Sequence, residues 1–339
     1  MIRIAVDAMG TDGHPAPELE ATVMAVEAWP DPIQLVGPAE GLESRLASRG
    51  ISDERVQVVD APELLSMTDK PADSARGKAR SSMAVGMELV KGGQADAFVT
   101  CGNTGGALAN AIFRLGRIQG VKRPGLTAAF PVRTGQAIVL DIGANTDCKP
   151  DYLLQFAVLG SIYAQKVLGV GAPRVGLLSN GEEPGKGNEL VKEAFPLLKG
   201  SGLNFIGNVE PKEVYAGQAD VIVTDGFIGN IFLKSSEAVA AFLVDIIRSE
   251  IKRSPVTSLG GLLARPAFRT VGQILDPERY GAGTLLGVDG LVFVGHGRFG
   301  PNGVFNAIRV ARQAVESGLL PAMRQAIQQS FSQEAVALA

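Results

Sequence analysis

The sequence predicts an α/β fold built on a mostly parallel sheet with helices on both faces. Three observations carry this. Short apolar runs of strand length alternate with longer helix-period segments along most of the chain. Several of these runs end in polar turns rich in Gly, Asn and Asp. The chain has 339 residues, 46% of them hydrophobic and 42 of them Gly, a composition that fits a packed α/β enzyme rather than a disordered or fibrous chain. In folds of this class ligands sit beyond the carboxyl ends of strands, so those turns are where a site is expected.

In order, Ile2–Val6 reads as a buried strand, and Asp7-Ala8-Met9-Gly10-Thr11-Asp12-Gly13 follows as the loop at its carboxyl end. Pro15–Trp29 reads as a helix, Ile33–Val36 as a strand, Leu42–Arg49 as a short helix and Val56–Val59 as a strand. Ser81–Lys91 has the spacing of an amphipathic helix. Ala97–Thr100 is the next strand; Cys101-Gly102-Asn103-Thr104-Gly105-Gly106 leads from it into a helix over Ala107–Leu115. Ala137–Leu140 ends in Asp141-Ile142-Gly143-Ala144-Asn145-Thr146-Asp147, with a long helix after Pro150. Phe205–Val209 and Val221–Thr224 are strands, and the second runs into Asp225-Gly226-Phe227-Ile228-Gly229-Asn230. A long helix over Ile231 to about Arg253 is expected there, with Asn230 at its start and Lys234 one turn in. The chain closes with a strand over Gly290–Val294, the turn Gly295-His296-Gly297, and helices from Asn302 onward.

The stretch Val175–Leu190 carries the most chemistry. A strand, Val175–Ser179, enters the polar turn Asn180–Gly187, and a helix begins with Asn188 as its N-cap and Glu189 in its first turn. Helix N-termini offer unpaired N–H groups and a partial positive charge, and Lys186 adds a full one, so the turn has the character of an anion site. It is not a Walker A loop. Gly181 and Gly185 are separated by three residues, and Gly187 follows Lys186 where that motif needs Ser or Thr. A dinucleotide Gly-x-Gly-x-x-Gly fingerprint is also missing here, and Gly169-Val170-Gly171 precedes a strand instead of following one. An ordinary αβ turn with a solvent-exposed lysine explains the same residues equally well.

Composition excludes several classes. A net charge of −3 argues against binding nucleic acid by bulk electrostatics. Two cysteines, Cys101 and Cys148, and two histidines make a zinc site a poor expectation, and the cysteine usage fits a reducing cytosol. No unbroken run of about 18 apolar residues is present, and the first strand starts at once, so neither a membrane span nor a signal peptide is expected. Cys101 reads as a small buried residue at a strand end, since no neighbouring base marks it as a nucleophile. Ile251–Leu275 stands apart. Lys252, Arg253, Arg265 and Arg269 occur with no acidic residue, interleaved with Leu259, Leu262, Leu263 and Phe268. Such a segment suits an anionic membrane, an acidic protein, or a helical hairpin packed on a second subunit.

Taken together, Val6-Asp7-Ala8-Met9-Gly10, Gly102-Asn103-Thr104-Gly105, Asp141-Ile142-Gly143-Ala144-Asn145, Gly181-Glu182-Glu183 with Gly185-Lys186-Gly187-Asn188, Phe205-Ile206-Gly207-Asn208-Val209-Glu210, Asp225-Gly226-Phe227-Ile228-Gly229-Asn230 and Leu285-Leu286-Gly287-Val288 resemble the bacterial phosphate acyltransferases of phospholipid synthesis, the PlsX family. The match is co-linear and spans nearly the whole chain. It departs at Thr11, where a second glycine is usual, at Arg298 and Phe299, where two serines are usual, and slightly at Tyr280-Gly281-Ala282-Gly283.

The resemblance implies a three-layer αβα sandwich like the isocitrate and isopropylmalate dehydrogenases, as a single catalytic domain over 1–339 with a helical hairpin extension over 240–275. It implies transfer of a fatty acyl group from acyl carrier protein to inorganic phosphate, giving acyl phosphate; no cofactor is expected, no metal ligand is assigned, and the sequence leaves a metal requirement open. It implies a cytoplasmic homodimer, peripherally attached to membrane, whose product passes to a glycerol-3-phosphate acyltransferase. On this reading Lys186 and Asn230 are the catalytic residues. Asp7, Gly102, Asn103, Thr104, Asn145, Gly185, Gly187, Asn188, Asp225 and Gly229 line the substrate, with Lys186 and the helix start at Asn188 on phosphate. Asn230, amides near Gly229, and Asn103 face the acyl oxygen. Two other readings stand beside it. A dehydrogenase on the same fold would need a nucleotide site and an acidic metal cluster, and a membrane-recruited scaffold would rest on Ile251–Leu275 alone.

Overall fold

The computed structural model describes residues 1–66, 68–70 and 75–337. Its first part is β1 (Ile4–Asp7), α1 (Ala16–Ala28), β2 (Ile33–Gly37), α2 (Ala39–Ser48), β3 (Val56–Asp60), α3 (Ser82–Lys91), β4 (Ala97–Thr100) and α4 (Thr104–Arg114). A hairpin follows, β5 (Gly125–Val132) and β6 (Gly135–Leu140). Then come α5 (Pro150–Lys166), β7 (Val175–Leu178), α6 (Glu189–Lys199), β8 (Phe205–Val209), α7 (Pro211–Ala216) and β9 (Val221–Val223). A helical excursion comprises α8 (Gly226–Ile251), α9 (Pro255–Leu263), α10 (Arg265–Leu275) and α11 (Pro277–Tyr280). The chain returns through β10 (Gly283–Leu286) and β11 (Val292–Val294) to α12 (Pro301–Glu316) and α13 (Leu319–Ala337).

The strands form one eleven-stranded sheet in the order β3-β2-β1-β4-β11-β10-β5-β6-β9-β7-β8. Both faces are covered, which makes three layers. Along β1, Ile4 and Val6 belong to one core and Ala5 to the other; along β4, Ala97 and Val99 pack oppositely to Phe98. This is the period-2 alternation of a strand buried on both sides. The sheet is mostly parallel, as expected, but its centre is not: β11–β10, β10–β5 and β5–β6 are antiparallel. Three successive reversals turn the second set of parallel strands against the first. The carboxyl ends of β1, β4 and β11 therefore leave the ladder in one direction, and those of β6, β9, β7 and β8 in the other.

The two central strands β5 and β10 are absent from the sequence reading. β10 has only four residues, and the β5–β6 turn at Arg133-Thr134 lacks the Asn-Gly or Asp-Gly signature of a tight hairpin. A second correction concerns α8. It starts at Gly226, five residues earlier than expected, because Asp225 is its cap: Asp225 Oδ1 accepts from the amides of Phe227 and Ile228 at 3.0 and 2.8 Å. Asn230 thus lies inside the helix, beyond its first turn.

The start of α8 rests directly on the loop after β6. A Cβ on Gly229 would lie 1.9 Å from the Asp141 carbonyl oxygen, and one on Gly226 would lie 2.6 Å from the Asn145 carbonyl oxygen. Further along, Phe232 stacks on Phe130 with ring centroids 4.9 Å apart. Beyond that contact the helix leaves the body, with Val239, Phe242 and Leu243 more than half exposed, and neither α9 nor α10 has a buried residue. Among the described residues α8 is the one helix long and apolar enough to cross a membrane by length and composition. A search for an unbroken apolar run misses it because Lys234, Glu237 and Asp245 interrupt the sequence.

The seat of α8 is testable. Gly229→Ala forces a methyl group into a backbone oxygen that has nowhere to move, so it is expected to lower stability by at least about 2 kcal/mol, read from the urea unfolding midpoint. Gly226→Ala, whose methyl group would meet the Asn145 carbonyl oxygen at 2.6 Å, is expected to be destabilising in the same assay.

Candidate active site

Three polar turns meet on the carboxyl edge of neighbouring strands β6, β9 and β7. The first is knotted by Asp141. Its fully buried carboxylate accepts from the amides of Leu126, Gly143, Ala144 and Asn145 at 2.7–3.2 Å, and from Asn145 Nδ2 at 2.9 Å. Burial pushes the carboxyl up from its ordinary pKa, against the pull of these donors. Asn145 is spent in the same knot: Nδ2 also donates to the Pro124 carbonyl at 2.7 Å, and its own carbonyl accepts from Gly226 at 2.8 Å. Asn145 therefore shapes the turn and has no donor left for substrate.

Asn230 stands over this turn. Its Nδ2 lies 2.9 Å from the place a Cβ of Gly143 would occupy, and Gly143 has φ +139°. Any side chain there would fill the space the amide holds. Asn230 is exposed, and its amide makes no hydrogen bond among the described residues. Asp225, by contrast, is nearly buried and serves as the α8 cap, while Gly229 is buried under the same helix.

The second turn, after β7, is the lysine loop. Asn180 Oδ1 accepts from the Gly187 amide at 2.9 Å, the Lys186 amide donates to the Glu183 carbonyl at 2.9 Å, and Asn208 Nδ2 donates to that carbonyl at 2.9 Å. Gly187 has φ +97°, and a Cβ on it would meet Val191 at 2.4 Å. Asn188 caps α6 through its Oδ1 and the Val191 amide at 3.0 Å, as its sequence position implies. The Lys186 stem lies across Gly181, where a Cβ would be 2.6 Å from Lys186 Cγ. Its ammonium is exposed and has no ion-pair partner among the described residues, and Gly185 beside it is exposed too. The nearby acid Glu182 is held by Lys212, which also reaches Glu210 and Glu213, all at 3.1–3.3 Å. These three carboxylates are close enough together to hold a cation. The Lys212 ammonium already fills that place.

The turns of the other strand set do different work. Asp7 is buried and accepts from Thr100 Oγ1 at 2.7 Å and the Met9 amide at 3.0 Å; burial pushes its carboxyl up. Gly10 packs against the Cys101–Gly102 backbone, and Gly102 is buried. Asn103 caps α4 through Oδ1, and its Nδ2 donates to the carbonyls of Ser66 and Asp69 at 3.3 Å. Asp7 and Asn103 therefore tie loops together where the sequence reading had them facing substrate. Thr104 is exposed at the α4 start. Nor do all the strand ends share one edge. What links the two sets is α8. Lys234, one turn beyond Asn230 on the same face, approaches His296 Nε2 at 3.5 Å, and Gly297 accepts from the Asp12 amide at 2.7 Å. Burial and the Lys234 charge hold the His296 imidazole below its usual pKa. Of the departures from the family pattern, Phe299 is a core residue packed against Gly295 and Gly303, and Thr11 is buried beside Glu18. The organising role of Asp141 was legible only as one polar letter in a turn; the Asn230–Lys234 spacing of four is the signal that would have found the bridge.

The architecture is shared with solved structures of distant sequence. The chain superimposes on a phosphotransacetylase from Streptococcus pyogenes with TM-score 0.61 at 16% identity, covering 96% of this chain and 94% of that one. It superimposes on a putative 4-hydroxythreonine-4-phosphate dehydrogenase from Salmonella typhimurium with TM-score 0.54 at 14% identity, covering 92% and 99%. At that distance the likeness is one of fold. The sequence comparisons go further. A family model described as "Fatty acid synthesis protein" matches residues 2–321. The chain is 46% identical to a phosphate acyltransferase of Elusimicrobium minutum over 96% of both chains, and 46% identical to one of Acidobacterium capsulatum over 93% and 94%. The chain belongs to this phosphate acyltransferase family and is an acyltransferase.

Cys101 bears on how such an enzyme works. It is buried, and burial with nearby acids pushes its thiol well above the ordinary value, so it is protonated at neutral pH and a poor nucleophile. Cys101→Ala is expected to keep activity within about twofold, with no acyl-cysteine found by mass spectrometry of the enzyme incubated with acyl donor.

Proposed function

We propose that this chain transfers a fatty acyl group from acyl carrier protein to inorganic phosphate by direct attack of phosphate on the thioester, yielding an acyl phosphate and the free carrier thiol. The observation that carries the reading is that Lys186, on the turn leaving β7, and Asn230, near the start of the helix leaving the adjacent strand β9, are both exposed and have no side-chain partner among the described residues. Their neighbours in those turns are spent on structure. Phosphate is an anionic nucleophile at neutral pH, so the enzyme's task is to hold it against the carbonyl carbon. Lys186 and the α6 N-terminus at Asn188 supply charge and unpaired amides for it. Asn230 Nδ2, with amides near Gly229 at the start of α8, donates to the oxyanion; such a donor is worth roughly 3–4 kcal/mol in the transition state. Asn103 is left out of this role because its amide is engaged.

A dehydrogenase reading is weaker on the same residues. Among the described residues its acidic metal cluster would be Glu182, Glu210 and Glu213, which Lys212 already bridges.

Two variants test the site together, with palmitoyl acyl carrier protein and phosphate as substrates and acyl phosphate as the readout. Lys186→Ala is expected to cut turnover at least roughly a hundredfold and to raise the phosphate KM. Asn230→Ala is expected to lower kcat more than it raises either KM, as for a donor used in the transition state. Near-normal turnover of Lys186→Ala with unchanged phosphate KM refutes the phosphate assignment. A pure KM effect at Asn230 makes it a binding residue.

The excursion α8–α10 carries the second half of the proposal: homodimer formation and reversible attachment to membrane, where a glycerol-3-phosphate acyltransferase consumes the product. Val256, Leu259, Leu262 and Leu263 are all more than 60% exposed, beside Lys252, Arg253, Arg265 and Arg269. Each basic residue near an anionic surface is worth about 1 kcal/mol, and a buried Leu roughly 1.5–3 kcal/mol. Two copies in a dimer raise the avidity. Leu262→Glu with Leu263→Glu is expected to give a dimeric, active enzyme that no longer floats with anionic vesicles. A monomeric or unfolded product reassigns the segment to the subunit interface, and unchanged flotation places attachment elsewhere.

A further inference from the structure

We infer that the cavity between the end of α4 and the start of α5 is the docking surface for the acidic carrier protein that presents the acyl thioester. The inference rests on the proposed donor being such a carrier. The cavity measures 540 Å³ and is lined by Ile112, Arg117, Lys122, Arg123, Pro124 and Tyr152.

The cavity is cationic, in a chain of net charge −3. Three cationic side chains converge within seven residues. Two of them are already placed: the Arg117 guanidinium donates to the Lys122 carbonyl, and the Lys122 ammonium pairs with Asp151. Arg123 is exposed and has no acidic partner among the described residues. Beside them Ile112 lines the cavity and is 37% exposed, on the last turn of α4; Phe113, next to it in the chain and outside the lining, is 61% exposed. A cationic rim around exposed apolar side chains is what an acidic, amphipathic helix surface recognises, and it is the arrangement in which complementary charge steers encounter while apolar contact holds the complex. The phosphodiester that joins a carrier to its pantetheine arm is a further anion for the same cations.

Position supplies the second argument. Pro124 lines the cavity, and its carbonyl accepts the Asn145 amide that belongs to the Asp141 knot. The Asn230 amide lies over Gly143 of that same turn. A carrier seated at Arg123 and Phe113 therefore starts its arm one loop away from the amide proposed to receive the thioester oxygen. The lysine loop faces the same edge from β7, so donor and phosphate approach from different sides of α8.

The test uses the full chain and acyl carrier protein charged with palmitate. Arg123→Glu combined with Phe113→Glu is expected to weaken carrier binding at least tenfold by calorimetry and to raise the KM for charged carrier by a similar factor. The KM for phosphate is expected to stay the same. Arg123→Lys is expected to retain most of the affinity, and affinity of the parent is expected to fall steeply with salt. Both substituted positions are at the surface; should the double variant fail to fold, Arg123→Glu alone gives the same readout. Unchanged carrier affinity in a folded variant overturns the docking surface and leaves the proposed reaction standing. A parent enzyme that neither binds nor uses the charged carrier overturns the donor itself, and the surface with it.

Discussion

The buried Asp141 carboxylate is the interaction on which the site depends. It collects four backbone amides and one side-chain amide, and so ties the turn from Ile142 to Asn145 to the start of β5 at Leu126. A buried charge needs such a cage, because left bare it would be neutralised or would unfold its surroundings. The cage in turn makes a flat backbone platform. Gly226 and Gly229 let α8 descend onto it with no side chain between helix and turn. Contact at that range fixes the rotation of the helix about its axis. Asn230 and Lys234 then face where they do as a consequence, one over Gly143 and the other toward His296.

This arrangement separates two kinds of polar residue that look alike in sequence. Asn103, Asn145, Asn188 and Asn208 all have amide donors or acceptors committed to neighbouring backbone. Asn230 has none. Committed amides hold turns at fixed geometry, and an uncommitted one on a rigid helix can meet charge that develops during a reaction without first breaking a bond. The same division holds among cations. Lys212 is locked among three glutamates, whereas Lys186 is tethered only through its stem on Gly181. Removing Glu182 from the vicinity of Lys186 through Lys212 leaves the lysine charge available to an anion.

Much of the fold was legible in the residues. Strands such as Ala97–Thr100 and Phe205–Val209 end where their apolar runs end, and Asn188 caps its helix as its position suggests. The parts that were not legible share a physical cause. β5 and β10 are held by pairing with each other and with β6 and β11, across as many as 157 residues of chain for the Thr127–Thr284 bond, and no local period announces such a contact. The start of α8 was misplaced because Asp225 and Asn230 are both good caps, and only the tertiary seat chooses Asp225. Asp7 and Asn103 look like cleft residues by position, yet burial and loop bonding consume them, which depends on neighbours far away in sequence.

Within the proposed reaction, α8 joins two requirements that would otherwise compete. A site that makes an acyl phosphate must hold polar donors rigidly, while a product with a long apolar chain favours an apolar surface for its transfer. The first turns of α8 are clamped by the Asp141 platform and the Phe130–Phe232 stack. Its later turns, with α9 and α10, are apolar and exposed. An exposed apolar surface of that extent is unfavourable in water at about 25 cal/mol per Å², so it demands a cover, by a second subunit, by lipid, or by both along different lengths of the helix. One continuous helix thus carries both the clamped turns around Asn230 and the exposed apolar length.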